Sequence, residues 1–443
     1  MKITFLSAVA AIGGAETSLL GLLTGLRRIV PEIRLQVIAG EDGPLLESVR
    51  ALGAETAVLD FGHLSKLGDS QFGPLNGFST ARKIRAISAF PGALPGIVRY
   101  ARKLHRALTD SKPDIVHSNG MKMHLISALG TPTGVPIVWH MHDYVGSRVL
   151  MRRFLKIAML RRPFVVGVSR SVVEDLEASM SCKAYRATFV YNSVDPDTFS
   201  VNSRKADLDA LASVARAPTG TIRIGFVGTF ARWKGHEVFL KALAALPNDI
   251  RFRAYIIGAP VYATPHSQYD LEELKSVCRR FGIEDRVGFT GFCRTTSAVY
   301  RALDIVVHAS IEPEPFGMVL VEAMCAGTPV ITTACGGAAE ICTDAENCLV
   351  CRPGDAESMA KAIATLCRNP YLRARLADAA LAQAVERFRP ECAAKAMMDL
   401  YLRETGTRRG DVRAQREVPK DGRLSSTSVG KCCYTEPGTT GKS

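Results

Sequence analysis

No stretch of this chain approaches the roughly 18 to 20 uninterrupted apolar residues that a bilayer-spanning helix requires, so the reading is a soluble or peripheral protein. The Gly-x-Gly-x-x-Gly fingerprint is missing from the first strand-to-helix turn, which argues against a dinucleotide-binding enzyme of that type. Cys348 and Cys351 have the Cys-x-x-Cys spacing, but no second pair stands at zinc-site distance, and a structural zinc is not expected. The twelve cysteines fall mostly after Cys278, in a chain too long to need disulfide staples, and read as reduced thiols in a cytosol. After Glu404 the apolar periodicity is lost among Gly, Ser, Thr and charge. Such a segment cannot bury enough surface to offset the entropy of ordering, so residues 405–443 are expected to be a disordered tail.

What remains is an ordinary globular composition, 47% apolar and 22% charged over 443 residues, enough for two domains with separate cores. The formal charge of +13 favours phosphates, nucleic acid or an acidic membrane face without choosing among them. Short β-branched runs alternate with amphipathic segments at Lys2–Leu6, Leu35–Ala39, Asp114–His117, Pro136–His140, Phe164–Ser169 and Phe189–Tyr191. The rhythm restarts at Ile222–Val227 and continues through Ala254–Ile257, Val287–Phe289, Ile305–His308, Pro329–Thr332 and Leu349–Val350. This pattern predicts an α/β protein with two doubly wound parallel sheets. Residues 1–199 would form the first domain, 200–220 a linker with one loose helix, and 221–404 the second domain. Helices are expected at Ala356–Cys367, Tyr371–Arg387 and Pro390–Arg403, the last in a position to cross back to the first domain. The Gly- and Pro-rich stretch His63–Pro95 reads as an irregular, mobile loop.

The opening residues, with Lys2 before an apolar run ending in Ala8-Val9-Ala10, also resemble a secretory leader. A doubly wound domain places its first strand centrally, however, and cleavage after Ala10 would remove it. The strand reading is preferred.

Three constellations carry chemistry. Gly13-Gly14-Ala15-Glu16 joins a strand to a helix, where bare backbone and free N–H groups suit an anion, although paired glycines also serve plain turns. Arg232 and Lys234 follow strand Ile222–Val227, at the strand end where ligands of parallel sheets bind; a solvated surface pair is the alternative. The most informative stretch is HASIEPEPFGMVLVEAMCAG, which places Glu314 in a loop and Glu322 about one and a half turns into a helix beginning near Gly317. A carboxylate among such apolar neighbours needs hydrogen-bond donors, and hydroxyl-rich ligands supply them. Asp195-Pro196-Asp197 mimics a metal-binding Asp-x-Asp, but short matches are common and no metal is assigned. Among His117, His140 and His142, all near strand ends, His142 is favoured as functional. RVLMRRFLKIAMLRRPF carries Arg148, Arg152, Arg153, Lys156, Arg161 and Arg162 without an acid. Its apolar residues Leu150, Phe154, Leu155 and Met159 would form one buried face, and the cations either a solvated surface or a contact with anionic lipid.

Glu314-x7-Glu322, with Pro315-Phe316-Gly317 after the first Glu and Ala323-Met324 after the second, resembles the signature of retaining family-four glycosyltransferases. The similarity extends to Gly13-Gly14-Ala15-Glu16, His142-Asp143, Asn192-x-x-Asp195, Lys234-Gly235, Gly291, Gly336-Gly337 and Asn347. It implies the GT-B fold, two Rossmann-like domains facing across a cleft, and a metal-independent transferase without a cofactor. It further implies that Glu322 accepts from ribose hydroxyls, while Glu314 and the backbone of Phe316, Gly317, Met318 and Val319 hold the transferred sugar. Lys234 and Arg232 would bind pyrophosphate, Gly13, Gly14 and Glu16 would border the donor, and His142 would line the reaction centre. The chain departs from the family at Thr229, where an Arg is usual and Arg232 is taken to substitute, and at Cys348, where Gly often follows the Asn. The implied partners are a UDP- or GDP-sugar donor and a saccharide or lipid-linked acceptor, with peripheral contact to an anionic membrane and no nucleic acid. The implied setting is cytoplasmic, in cell-envelope or extracellular polysaccharide or glycolipid synthesis. The alternatives are a nucleotide-sugar epimerase of related fold and a non-catalytic nucleotide-sugar-binding protein.

Overall fold

The computed structural model describes residues 1–62, 80–180, 186–199, 204–260, 267–293 and 295–406. Two parallel sheets organise them. The front sheet has seven strands: β1 (Lys2–Ser7), β2 (Arg34–Ala39), β3 (Glu55–Val58), β4 (Ile115–Asn119), β5 (Ile137–Met141), β6 (Phe164–Gly167) and β7 (Arg186–Phe189), in the order β3-β2-β1-β4-β5-β6-β7. The rear sheet has six: β8 (Ile222–Val227), β9 (Phe252–Ile257), β10 (Val287–Gly291), β11 (Ile305–His308), β12 (Val330–Thr332) and β13 (Leu349–Val350), in the order β10-β9-β8-β11-β12-β13. Every pairing is parallel, so the winding reverses beside β1 in one sheet and beside β8 in the other. At such switch points the outgoing loops part and leave a crevice outside the strands' carboxyl ends. The opening residues Lys2–Ser7 are a buried interior strand, registered against both Arg34–Ala39 and Ile115–Asn119.

The front-lobe helices are α1 (Gly14–Ile29), α2 (Pro44–Ala51), α3 (Thr80–Ser111), α4 (Met121–Gly130), α5 (Val149–Ala158) and α6 (Arg170–Met180). The short α7 (Leu208–Leu211) precedes the rear-lobe helices α8 (His236–Ala244), α9 (Leu271–Phe281), α10 (Thr296–Tyr300), α11 (Met318–Cys325), α12 (Ala356–Arg368), α13 (Pro370–Arg387) and α14 (Pro390–Glu404). The last of these returns to the front lobe. Its Ala393, Ala394, Met397, Leu400 and Tyr401 share one apolar core with Ile3, Phe5, Leu22 and Leu26. Arg28 of α1 meets Asp195 at 2.6 Å and Glu391 of α14 at 3.0 Å, while Arg389 lies 3.8 Å from Asp197. Both aspartates of the Asp-x-Asp mimic are thus engaged in tying this crossing together.

Two expectations need correction. Residues 80–95 were expected to be irregular because of their Gly and Pro, yet they belong to α3; residues 63–79 lie outside the described set. Helix-favouring Ala, Arg and Lys lead into this helix, and its later turns anchor Tyr100, Leu104 and Leu108 under the sheet, so the prolines do not break it. The helix in the linker is not loose either. Asp209, 3% exposed, accepts from the Tyr255 hydroxyl at 2.6 Å and from Ala217 N–H at 3.0 Å, and it pairs with Arg223 at 3.3 Å. A buried carboxylate with three donors pins α7 to the rear sheet. The tail's residues 407–443 lie outside the described set.

Candidate active site

The rear lobe delivers its side chains from the turns after β8, β11 and β12. Lys234 closes a 3-10 turn, Arg232–Lys234, and Gly235 follows with φ 80°. A Cβ on Gly235 would lie 2.0 Å from the Ala309 carbonyl, so only glycine lets the β8–α8 turn press against the loop after β11. That close approach puts Lys234 Nζ 2.5 Å from Glu314 Oε2, with both side chains largely buried. The same oxygen faces His308 Nε2 at 3.2 Å and accepts from Ser310 Oγ at 3.2 Å. Burial alone would raise the Glu314 carboxyl, but the Lys234 ammonium and the His308 contact outweigh it and hold it at about 2. The Glu314 main chain is braced as well: its N–H donates to Cys335 O at 3.0 Å, and its carbonyl accepts from Gly337 N–H at 2.7 Å.

Glu322 stands in α11, whose first residue follows Gly317 at φ 104°. Its Oε2 accepts from the Tyr300 hydroxyl at 2.8 Å. Desolvation among apolar neighbours pushes its carboxyl up to about 7, and the tyrosine offsets only part of that. The two glutamates therefore differ sharply: one is ionised beside a cation, the other is poised near neutrality. Phe316, 2% exposed, buries its ring 6.0 Å from Tyr191 and 5.8 Å from Phe388, so its main chain rather than its side chain is available to a ligand. Met318 and Val319 open α11, where N–H groups lack acceptors within the helix.

Arg232 is not gathered into this cluster. Its guanidinium meets Glu273 of α9 at 2.6 Å and stacks 4.1 Å over Tyr269. The expectation of two cations at one point is met here by Lys234 alone, because a nearby carboxylate and an aromatic face hold the arginine towards α9.

The front lobe contributes the loops after β1, β4 and β5. Gly13 has φ −120° and neither Gly13 nor Gly14 lies at positive φ, so the turn does not demand glycine for its backbone angles. Both glycines are exposed; a Cβ on Gly14 would meet nothing within 4 Å, whereas one on Gly13 would lie 3.1 Å from Glu16 Oε2. Glu16 serves its own helix by accepting from Gly13 N–H at 3.1 Å. His142 Nε2 lies 2.5 Å from Asn119 Oδ1, and Asn119 Nδ2 donates to Ala15 O at 3.2 Å. Since a backbone carbonyl can only accept, the amide's orientation is fixed and its oxygen takes the His142 Nε2 proton. Burial and the neighbouring His140, His124 and His117 lower His142 well below the usual histidine range. Next to it, Asp143 is raised first by burial, then lowered by Arg148, and also feels the Glu314 charge from the other lobe. Tyr144 goes further and donates its hydroxyl to the Glu314 carbonyl at 3.0 Å. The loop after β5 thus reaches both ways: His142 is tied through Asn119 to the glycine turn, and Tyr144, two residues on, bonds the Glu314 loop of the other lobe.

Comparison with known proteins gives this geometry a family. Residues 12–198 match the model of Glycosyltransferase Family 4 and residues 209–383 that of Glycosyl transferases group 1. The chain belongs to the group 1, family-four glycosyltransferases. A D-inositol 3-phosphate glycosyltransferase of Xylanimonas cellulosilytica is 32% identical over 248 residues, 55% of this chain and 58% of that protein. A lipopolysaccharide core biosynthesis glycosyltransferase of Rhizobium meliloti is 31% identical over 40% of this chain and 47% of that one. The chain therefore spans less than two thirds of either relative's length in the matched region. Anabaena Alr3699/HepE, solved in complex with UDP-glucose, shares the fold with TM-score 0.70 and 23% identity, covering 90% of this chain and 99% of that one. The architecture is GT-B, two Rossmann-like domains.

Sequence reasoning missed His308, Ser310, Asn119, Tyr144 and Tyr300. The first four share a readable signal, since each closes or follows a strand at its carboxyl end. Tyr300 has none, because only the folded chain brings α10 against α11.

Proposed function

We propose that this glycosyltransferase moves a sugar from a nucleoside diphosphate sugar to an acceptor hydroxyl with retained anomeric configuration. The observation that carries the reading is the buried Lys234–Glu314 contact at the mouth of the rear sheet, in a loop that Tyr144 of the front lobe reaches. The donor's pyrophosphate would compete with Glu314 for the Lys234 ammonium. Glu314, still held by His308 and Ser310, would then accept from hydroxyls of the transferred sugar. As the glycosidic bond breaks, negative charge grows on the leaving phosphate, and a cation held in a partly desolvated site stabilises that charge more than the ground state. Glu322, with Oε2 on Tyr300, would take the ribose hydroxyls on its other oxygen. His142, its Nε2 proton committed to Asn119, offers Nδ1 as an acceptor to a sugar hydroxyl. A UDP-sugar is the favoured donor, the choice supported by the UDP-glucose complex of the structural neighbour.

The acceptor is proposed to be saccharide or lipid-linked, with the front lobe resting on anionic headgroups. In α5 and the following turn Leu155 is fully buried, and the other residues of the expected apolar face, Leu150, Phe154 and Met159, are partly buried. Ile157 and Leu160 instead project, 65% and 82% exposed, beside exposed Arg153, Lys156, Arg161 and Arg162. Apolar tips among cations match a lipid interface. Among the described residues no helix is long and apolar enough to cross a membrane. Binding to phosphatidylglycerol vesicles at low salt, lost in Ile157→Glu/Leu160→Glu, would bear this out; equal sedimentation of both proteins would refute it.

The transfer itself is tested by incubating the chain with UDP-, GDP- and ADP-sugars, with and without acceptor, and following free nucleoside diphosphate. Release that depends on acceptor supports transfer. Conversion of the donor without acceptor would mean an epimerase, and binding without turnover a sensor.

A further inference from the structure

The lobes meet along a polar seam whose bonds are divided unusually between them. At the start of α6, Ser169 Oγ accepts from Val172 N–H at 3.2 Å, the ordinary capping bond of a helix from its own chain. The N–H groups of Arg170 and Ser171 are capped from the other lobe: they donate to the two carboxylate oxygens of Glu340 at 2.9 and 2.8 Å. First-turn N–H groups have no acceptor within their helix and carry partial positive charge, so a carboxylate satisfying two of them forms a charge-assisted clasp. Glu340 is itself held by rear-lobe structure, closing the turn Gly337–Glu340, with its carbonyl accepting from Arg387 at 3.1 Å. Its charge also faces the Tyr191 hydroxyl, which burial first and then Glu340 push up to about 12.

The seam continues directly onto the Glu314 loop. Ser169 Oγ donates to Pro315 O at 2.6 Å, and the Tyr144 hydroxyl donates to Glu314 O at 3.0 Å. Tyr144 has one proton, so the Ser171 hydroxyl, 2.9 Å away, must donate to it. The Glu314 carbonyl thus spends both lone pairs, one on Gly337 N–H in its own lobe and one on Tyr144 in the other. Gly336, at φ 69°, is bare where this happens. A Cβ there would lie 2.3 Å from Tyr144 Oη and 2.7 Å from Glu314 O.

We propose that Glu340 is a positioning residue: by clasping the start of α6 it sets the closure of the lobes and, through Tyr144 and Ser169, places the Glu314 main chain where its carboxylate meets Lys234. Ligand binding at the rear lobe then depends on a contact made by the front lobe. The link to donor binding rests on the proposed function; the clasp and the placement of the loop do not.

The test compares Glu340→Ala, Glu340→Gln and Tyr144→Phe in the full chain, using amide hydrogen exchange, small-angle scattering and calorimetric titration with UDP and GDP. Tyr144→Phe leaves the Glu340 bonds to the α6 N–H groups intact and cuts the link to Glu314 together with the Ser171 hydroxyl contact, so it separates positioning from mere capping. Glu340→Ala should enlarge the radius of gyration and speed exchange at Arg170, Ser171, Glu314 and Gly337. Tyr144→Phe should speed only the last two. Both should weaken the better-binding nucleotide about tenfold, Glu340→Gln should fall between wild type and Glu340→Ala, and the double variant should be no worse than the worse single one. If neither nucleotide binds the wild type, the donor reading fails, while exchange and scattering still decide the clasp. Unchanged exchange at Glu314 and Gly337 in Glu340→Ala would overturn the proposal, as would additive losses in the double variant.

Discussion

Both lobes gather polar side chains at the carboxyl ends of strands beside a switch point, yet they fill that place with opposite chemistry. The front lobe stacks rings: His140 lies 4.3 Å from His142 and 5.2 Å from His117, and His124 stacks on Trp139 at 5.3 Å. Burial lowers His124 and His140 to about 3, and His117 and His142 well below the usual range, so this wall is neutral. The rear lobe keeps a cation against an ionised carboxylate and a second carboxylate near its titration point. One sheet architecture can therefore present either an uncharged wall or a charged one, decided in the front lobe by a few residues of β4, β5 and α4 and in the rear lobe by the outgoing turns. The proposed function assigns the donor's phosphates to the second and a sugar hydroxyl to the first.

Acid should break this contrast most strongly. A histidine whose folded value lies below its unfolded value near 6.5 contributes stability that is present above 6.5 and lost as pH falls. Each fully lowered group costs about 1.4 kcal/mol per pH unit below that point. His117, His124, His140 and His142 act together in the front lobe, whereas His236, lowered to about 3, is the corresponding rear-lobe group. Glu322 works the other way: its value is raised, so the folded form gains as pH falls from about 7 towards the unfolded carboxylate value. Glu314, held at about 2, loses its contribution only in stronger acid. Hydrogen exchange at pH 5, corrected for intrinsic rates, should show β4 and β5 opening before β8 and β11. Equal opening would remove the distinction.

Next in size is the cation itself. Lys234→Ala should cost roughly 3–4 kcal/mol of transition-state stabilisation, about 10²–10³ in kcat/KM, and undiminished turnover would exclude this lysine from the chemistry. It should also lower stability, because Glu314 would remain buried without its partner. Arg232→Ala should do far less, since that guanidinium is engaged with Glu273 and Tyr269.

Titration of Glu322 sharpens the comparison further. Ribose hydroxyls require the ionised carboxylate, so nucleotide affinity should fall as pH drops below about 7, approaching tenfold per unit, and Glu322→Gln should flatten that profile. A pH-independent affinity in the wild type would place the ribose elsewhere. The smallest effect concerns the crossing helix: Tyr401→Phe removes the hydroxyl 2.7 Å from His117 Nδ1 and leaves that nitrogen buried and unpaired. A loss of roughly 1–3 kcal/mol in denaturant unfolding is expected.

Much of this was legible in local pattern. The β-branched runs mark most strands of both sheets, and helices Ala356–Arg368, Pro370–Arg387 and Pro390–Glu404 follow their amphipathic spacing within a residue or so. The half-exposed edge strand Glu55–Val58 escaped because it has no continuous apolar run, and α3 because its Gly and Pro pointed to a loop. Lys234 and Glu314 could be picked out by type, but the bond between them is set by the bare backbone at Gly235, which no motif spells out. Arg232 failed to converge for the same reason in reverse: Glu273 lies 41 positions away in sequence and draws it off. Glu340 clasps a helix 170 residues distant. Side chains whose partners are local could be read, while those whose partners come from another element could not.

The central claim is that the rear lobe takes the phosphates at Lys234. A crystal structure with a nucleoside diphosphate sugar bound tests it most directly. The account predicts the pyrophosphate within hydrogen-bond distance of Lys234 Nζ, with that nitrogen drawn away from Glu314 Oε2. A pyrophosphate seated elsewhere, with the Lys234–Glu314 bond intact at 2.5 Å, would contradict it.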